Sequence, residues 1–395
     1  LYGGLFIAAP FIARFYGNGD LTSVIRVIGL TIVVSGVKGI QQSYVSRNMM
    51  FKRFFFSTLG GTIFSAFLGI GMAYAGAGVW ALVAQQLSNT MIDTLILWLT
   101  VKWRPKLQFS WSRLKGLLNY GWKLLVSALL GTVYNNLRGL IIGKIYTSSD
   151  LAFYNQGDKF PSVIVTNINT SIDSVLLPTM SSVQDDRKCV KEMTRRAMKT
   201  SVYIMAPLMM GLAFCATPIV RLVLTNKWLP CVPFLQVFCI TYMFWPVHTA
   251  NLNAIKALGR SDLFLKLEIV KKIVGMIALF ATMNISVKAM AYSLLVVSVL
   301  GQIINSWPNR KLLNYGYLEQ LKDILPGIII AVCMGACVYC VHFIGLSDVL
   351  TLCIQIPLGM VIYILLSKIL KMESYQYLSG MLMGFIASKK KVKVG

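Results

Sequence analysis

Of 395 residues, 56% are hydrophobic and only 13% charged, with 38 Lys and Arg against 14 Asp and Glu and a formal net charge of +24. Soluble domains run to about 45–50% apolar and about 25% charged residues, so this composition excludes a water-soluble enzyme or binding module and makes lipid the solvent. The basic residues come between apolar runs instead of on one folded face, which sets nucleic acid aside and reads as Lys- and Arg-rich cytoplasmic loops.

Residues 1–16 read as the end of a membrane span, and the chain opens on Leu1 already in apolar sequence, so a preceding N-terminal piece is expected. A span needs about 20 mostly apolar residues to cross a core about 30 Å thick. Such runs are expected at 22–44, 55–75, 79–101, 118–143, 160–181, 199–222, 232–256, 264–284, 287–307, 324–344 and 347–370. The result is an all-α integral membrane protein with about twelve transmembrane helices in this chain.

Orientation follows from alternate connections. Arg47, Lys52 and Arg53 mark the first cytoplasmic loop, Lys102, Arg104, Lys106, Arg113 and Lys115 the next, and Arg187, Lys188, Lys191, Arg195, Arg196 and Lys199 a third. Lys256, Arg260 and Lys266, then Arg310, Lys311 and Lys322, and finally Lys389, Lys390, Lys391 and Lys393 continue the alternation. The connections Gly17-Asn18-Gly19-Asp20 and Ala75-Gly76-Ala77-Gly78 are nearly free of cations, and the longest periplasmic loop is expected at about Lys144–Lys159.

The chain divides into an N-terminal helical bundle at 1–102, an amphipathic cytoplasmic connector at 103–117 and a C-terminal bundle at 118–307. Two additional helices at 308–370 and a basic cytoplasmic tail at 371–395 complete it. Six of the eight cysteines, Cys215, Cys239, Cys333, Cys337, Cys340 and Cys353, lie in apolar runs without a CxxC pair, so neither a metal nor a disulfide is expected of them.

Ionisable and amide side chains inside spans are costly in lipid and tolerated mainly where they face protein or a watery cavity. Gln85, Asn89 and Asp93 recur every four residues and share one helix face. Lys38 with Gln41 and Gln42, then Asn135, Asn136 and Arg138, then Asn167, Asn169 and Asp173 fall mid-span, and Pro246 kinks the span carrying His248, Asn251, Asn253 and Lys256. Lys38, Gln85, Asn89, Asn135, Asn136, Arg138, Asn167, Asn169, Asn251, Asn253 and Lys256 are the expected substrate path, and Asp93, Asp173 and His248 the ion-coupling candidates; no catalytic or metal-binding residue is expected. The bland reading is open for each: amides bridging helices, an Arg138–Asp173 ion pair, Lys256 snorkelling to the interface, a packed His248.

The chain resembles the Wzx-type lipid-linked polysaccharide flippases of the MOP superfamily, in the branch with the colanic acid and teichuronic acid exporters. The carriers are Ser46-Arg47-Asn48-Met49-Met50-Phe51-Lys52-Arg53, Gly78-Val79-Trp80-Ala81-Leu82-Val83-Ala84-Gln85-Gln86, Trp103-Arg104-Pro105, Leu140-Ile141-Ile142-Gly143-Lys144 and Leu151-Ala152-Phe153-Tyr154-Asn155-Gln156. Leu177-Pro178-Thr179-Met180-Ser181, Asn226-Lys227-Trp228 and Ala257-Leu258-Gly259-Arg260-Ser261-Asp262 extend it essentially end to end. The resemblance implies about fourteen helices in two MATE-like bundles around a central cavity, in the bacterial inner membrane. It implies alternating-access transfer of an undecaprenyl diphosphate-linked oligosaccharide for O-antigen, capsule or exopolysaccharide synthesis, with Lys38, Arg138 and Lys256 attracting the diphosphate. No cofactor is implied beyond a coupling H⁺ or Na⁺, and polysaccharide polymerases or glycosyltransferases are the further partners. A MATE-type multidrug antiporter is the alternative, disfavoured because organic cations call for carboxylates; a membrane-embedded glycan-processing enzyme would need a large extramembrane loop or a catalytic cluster.

Overall fold

In hydrocarbon every backbone polar group must be satisfied within the protein, and helices achieve this segment by segment. The computed structural model describes residues 1–48, 50–105 and 110–392, and among them fifteen α-helices are the regular elements, with two short 3₁₀ turns. Lys106 and Lys393, with the side chains of Arg113, Lys389, Lys390 and Lys391, lie outside the described residues.

The helices are α1 (Tyr2–Tyr16), α2 (Leu21–Arg47), α3 (Phe51–Tyr74), α4 (Val79–Thr100), α5 (Trp111–Ile145), α6 (Ser148–Ser181), α7 (Arg187–Phe214) and α8 (Ala216–Leu224). They continue as α9 (Val232–Met243), α10 (Trp245–Ala257), α11 (Ser261–Thr282), α12 (Val287–Leu312), α13 (Tyr317–Cys340), α14 (Asp348–Ile369) and α15 (Glu373–Val392). Among the described residues seven segments qualify as spans on length and apolarity alone: Leu21–Val45, Lys52–Tyr74, Arg187–Phe214, Asn226–Ala257, Val287–Leu312, Tyr317–Ile344 and Asp348–Ile369. The expected spans at 79–101, 118–143, 160–181 and 264–284 are helical too, as α4, α5, α6 and α11.

One loop boundary differs from expectation. The Lys144–Lys159 loop is almost all helix, because Thr147 opens α6 with a capping box: its hydroxyl accepts from Asp150 N–H at 3.1 Å and the Asp150 carboxylate accepts from Thr147 N–H at 3.2 Å. The kink at Pro246 is a full break, with Phe244 ending α9 and Pro246 sitting in the first turn of α10, where its missing N–H costs nothing. Connector residues 111–117 are the opening of α5, a continuous helix of 35 residues.

The outer surface is apolar, with Phe67 at 75% and Ile369 at 71% exposure, and Phe55, Phe64, Ile277 and Met360 likewise outward. Water would not tolerate patches of that extent, whereas lipid matches them. Two compact units form, Leu1–Leu129 and Leu130–Gly395. In the first, α4 packs on α2 and α3, and α1 on α2. In the second, α7 is central: Met198, Met205, Ala206 and Met209 are wholly buried, with α9, α10 and α13 around them.

Close approach of α6 to α9 depends on Gly157. A methyl there would stand 2.6 Å from Phe234 Cβ and 2.9 Å from the Leu235 nitrogen. Gly157→Val is therefore expected to destabilise the second unit by about 1–3 kcal/mol, the usual cost of overpacking. Thermal unfolding of purified protein reads this, and an unchanged melting temperature would refute the tight contact.

Candidate functional site

In the first unit the face carrying Gln85, Asn89 and Asp93 turns toward α3, whose glycines leave room for it. A methyl on Gly61 would lie 2.9 Å from the Asn89 carbonyl oxygen and 3.1 Å from Asp93 Cβ, and one on Gly69 3.0 Å from Gln85 Cβ. Asp93, with a side chain 5% exposed, forms an ion pair of 2.5 Å with Lys38 Nζ from α2, whose side chain is 19% exposed. The Thr58 hydroxyl reaches the same carboxylate oxygen at 3.5 Å, and the other oxygen has no hydrogen-bond partner. Gln41 is buried and donates to the Trp103 carbonyl at 3.0 Å. Lys38 and Asp93 thus compensate one another.

In the second unit a polar seam joins α6 to α10. Asn169 Oδ1 accepts from the Thr249 hydroxyl at 2.5 Å, and Asp173 Oδ1 accepts from Asn253 Nδ2 at 2.7 Å. On the other side of α10, Asn251 Nδ2 donates to Gln320 Oε1 at 2.8 Å, while Asn251 Oδ1 accepts from Asn309 Nδ2 at 2.6 Å and from Gln320 Nε2 at 3.0 Å. Asn251, Asn253 and Asn309 are wholly buried, so these amides bridge helices. His248 Nδ1 lies 2.9 Å from Asn305 Nδ2 of α12, a further side-chain contact between α10 and α12.

Arg138 reaches from α5 to α12, where Nη1 donates to the Met290 carbonyl and, at 3.1 Å, to Ser293 Oγ. The Arg138–Asp173 ion pair does not form: Asp173 is held by Asn253, and Arg138 by two neutral acceptors. Its positive charge is left uncompensated by either contact. Asn135, Asn136 and Asn167 are exposed, and the last two donate to carbonyls one turn back, Thr132 at 2.8 Å and Val163 at 2.7 Å. Lys256 Nζ sits 4.8 Å over the Phe264 ring near the end of α10, a cation–π contact. Just beyond, Arg260 donates two hydrogen bonds of 2.9 Å to Asp262, which hold that carboxyl down to about 2.

Several polar residues of the site escape a sequence reading. Asp158 on α6 accepts from the Tyr242 hydroxyl of α9 at 2.5 Å, and α11 carries Glu268, Lys271 and Lys272 in mid-helix. The available signal is the charge content of the 264–284 run, which averaging over a hydropathy window conceals.

The chain matches the family model described as polysaccharide biosynthesis protein over residues 1–233, and that of the lipid II flippase MurJ over residues 151–358. The teichuronic acid biosynthesis protein TuaB of Bacillus subtilis is 24% identical over 92% of this chain and 76% of its own length. The succinoglycan biosynthesis transport protein ExoT of Rhizobium meliloti is 21% identical over 77% of this chain, and the lipopolysaccharide biosynthesis protein WzxC of Escherichia coli 25% identical over 68%. The chain spans 62% and 55% of the lengths of those two. Among solved structures, the lipid II flippase MurJ in an inward closed conformation has the same fold, with a TM-score of 0.75 at 16% identity over 93% of this chain and 80% of that one.

Proposed function

We propose that the chain, which belongs to the polysaccharide biosynthesis protein family, moves an undecaprenyl diphosphate-linked oligosaccharide between the leaflets of the bacterial inner membrane by alternating access, its C-terminus in the cytoplasm. It is a multi-pass membrane transporter of the Wzx type, for surface polysaccharide synthesis. The observation that carries the substrate class is Arg138, a guanidinium bridging α5 to α12 through a carbonyl and a hydroxyl with no acid among those partners. A diphosphate leaving water for a low-dielectric site needs such a charge, and the exposed amides Asn135, Asn136 and Asn167 suit a sugar chain. Lys256 is the second cation offered to the anion, while Lys38 is engaged by Asp93. Asp93, Asp173 and His248 are the groups available to a coupling H⁺ or Na⁺, and a polymerase or glycosyltransferase is the expected neighbour at the membrane.

The test is the leaflet distribution of undecaprenyl diphosphate-linked glycan in source cells lacking the gene. The intermediate is expected to accumulate on the cytoplasmic face and to be relieved when the full-length gene is restored. An unchanged distribution in a strain with no second flippase overturns the reading.

A further inference from the structure

The end of α12 changes character along one face. Ile303, Trp307 and Arg310 follow at i, i+4 and i+7, which puts them on one side of the helix, and all three are exposed, Trp307 at 67%. The face is apolar toward the middle of the helix and basic at its end, where Arg310 and Lys311 open a connection expected on the cytoplasmic side from its cations. Trp307 stands between the two, where an amphipathic ring suits a membrane–water boundary.

Residues 313–316 turn the chain from α12 into α13. Asn314 there takes φ 50°, the left-handed region that Asn tolerates better than most residues, and its carbonyl accepts from Lys191 Nζ of α7 at 2.6 Å. A cavity of about 430 Å³ lies against this turn, lined by Ile303, Trp307 and Arg310 from α12 and by Tyr317, Leu318 and Glu319 from α13. Leu318 is 73% exposed. None of the ion pairs among the described residues includes Arg310. Lys191 approaches one oxygen of Glu319 at 3.1 Å and the other at 3.4 Å, yet the Glu319 side chain stays 43% exposed, and a carboxylate has about four lone-pair sites, so acceptor capacity remains. The cavity therefore offers an unpaired guanidinium, a partly exposed carboxylate, two aromatic rings and two exposed aliphatic side chains.

We propose that this cavity holds a phospholipid of the cytoplasmic leaflet with a phosphoethanolamine headgroup, its phosphate on Arg310, its ammonium on Glu319 and its acyl chains along Ile303 and Leu318. A charge-assisted hydrogen bond forms at each end of such a headgroup, and bonds of that kind are about twice as strong as neutral ones. The faces of Trp307 and Tyr317 attract the same ammonium. Phosphatidylglycerol meets Arg310 equally well but brings no ammonium to Glu319, and phosphatidylcholine brings a quaternary ammonium with no N–H to donate. Bound across both helices, the lipid ties the end of α12 to the start of α13. None of the lining residues takes part in the polar seam or in the bonds of Arg138, so the site is independent of what the chain transports.

The experiment titrates the full chain, delipidated in detergent, with palmitoyl-oleoyl phosphatidylethanolamine, phosphatidylglycerol and phosphatidylcholine, and counts bound lipid by native mass spectrometry. The unaltered protein is expected to bind phosphatidylethanolamine about tenfold or more tightly than the other two, and to melt at a higher temperature with it. Arg310→Met should weaken phosphatidylethanolamine binding by about tenfold or more, as loss of a charge-assisted contact predicts. Lys311→Met, which removes an equally exposed cation that does not line the cavity, should leave it unchanged. Glu319→Gln should bring the affinities for phosphatidylethanolamine and phosphatidylglycerol together. An Arg310→Met variant with the melting temperature and the phosphatidylethanolamine affinity of the parent overturns the proposal, as does a Lys311→Met variant that loses as much binding as Arg310→Met, which would show only attraction to the basic end of α12. Equal affinity of the unaltered protein for phosphatidylethanolamine and phosphatidylglycerol overturns it too. Should Arg310→Met fail to fold, the comparison of the three lipids on the unaltered chain decides.

Discussion

Lys38→Met is expected to destabilise the first unit by about 3–5 kcal/mol, the usual consequence of taking one partner from a buried ion pair. The Asp93 side chain is 5% exposed and already has one oxygen without a partner, so the loss of the ammonium at 2.5 Å leaves Thr58, at 3.5 Å, as the remaining donor to the carboxylate. Lys38 keeps 19% of its side chain exposed, which lets water soften the loss and places the effect toward the lower end. Combining Lys38→Met with Asp93→Asn removes the stranded charge, and the double variant is expected to recover most of the stability. A double-mutant cycle on thermal unfolding measures this. If the single and double variants melt alike, the pair does not hold α2 to α4. A double variant that folds but no longer exports would assign the pair to the transport cycle.

That pair also shows where a linear reading stops. The period of four at Gln85, Asn89 and Asp93 puts them on one face without any structure, because a helix turns 3.6 residues at a time. The partner of that face, 55 residues away in the chain for Lys38, is a tertiary fact that no local pattern holds. The same period carried information that a path drawn through both Asn251 and Asn253 overlooks. Residues two apart on a helix point to nearly opposite sides, and indeed Asn253 meets Asp173 of α6 while Asn251 meets Asn309 and Gln320 of α12 and α13. The start of α6 was legible in Thr147-Ser148-Ser149-Asp150, whose hydroxyl and carboxylate three residues apart form the cap, but its polarity mimics a loop. Lys271 and Lys272 are plain in the sequence, whereas the neighbours they meet, His248 on α10 and Tyr134 on α5, are tertiary facts.

Arg138→Ala is expected to lower export by about 10- to 150-fold, the equivalent of one charge-assisted contact of about 1.5–3 kcal/mol lost from the translocation barrier. Protein level should hardly change, and the geometry says why. The Ser293 hydroxyl donates to the Met290 carbonyl at 2.7 Å without help from the guanidinium, so both acceptors keep a partner when Arg138 is truncated. The charge is what disappears. Arg138→Lys keeps it but replaces a fork of donors with a point charge on a different stem, and an intermediate export rate is expected. With Asn253 as the partner of Asp173, and a carbonyl and a hydroxyl as those of Arg138, neither residue is available to the other as an ion pair. Export assays with membrane levels measured in parallel decide among these. Full export by Arg138→Ala would remove the residue from the mechanism, whereas loss of the protein from the membrane would make its bond to α12 a structural one.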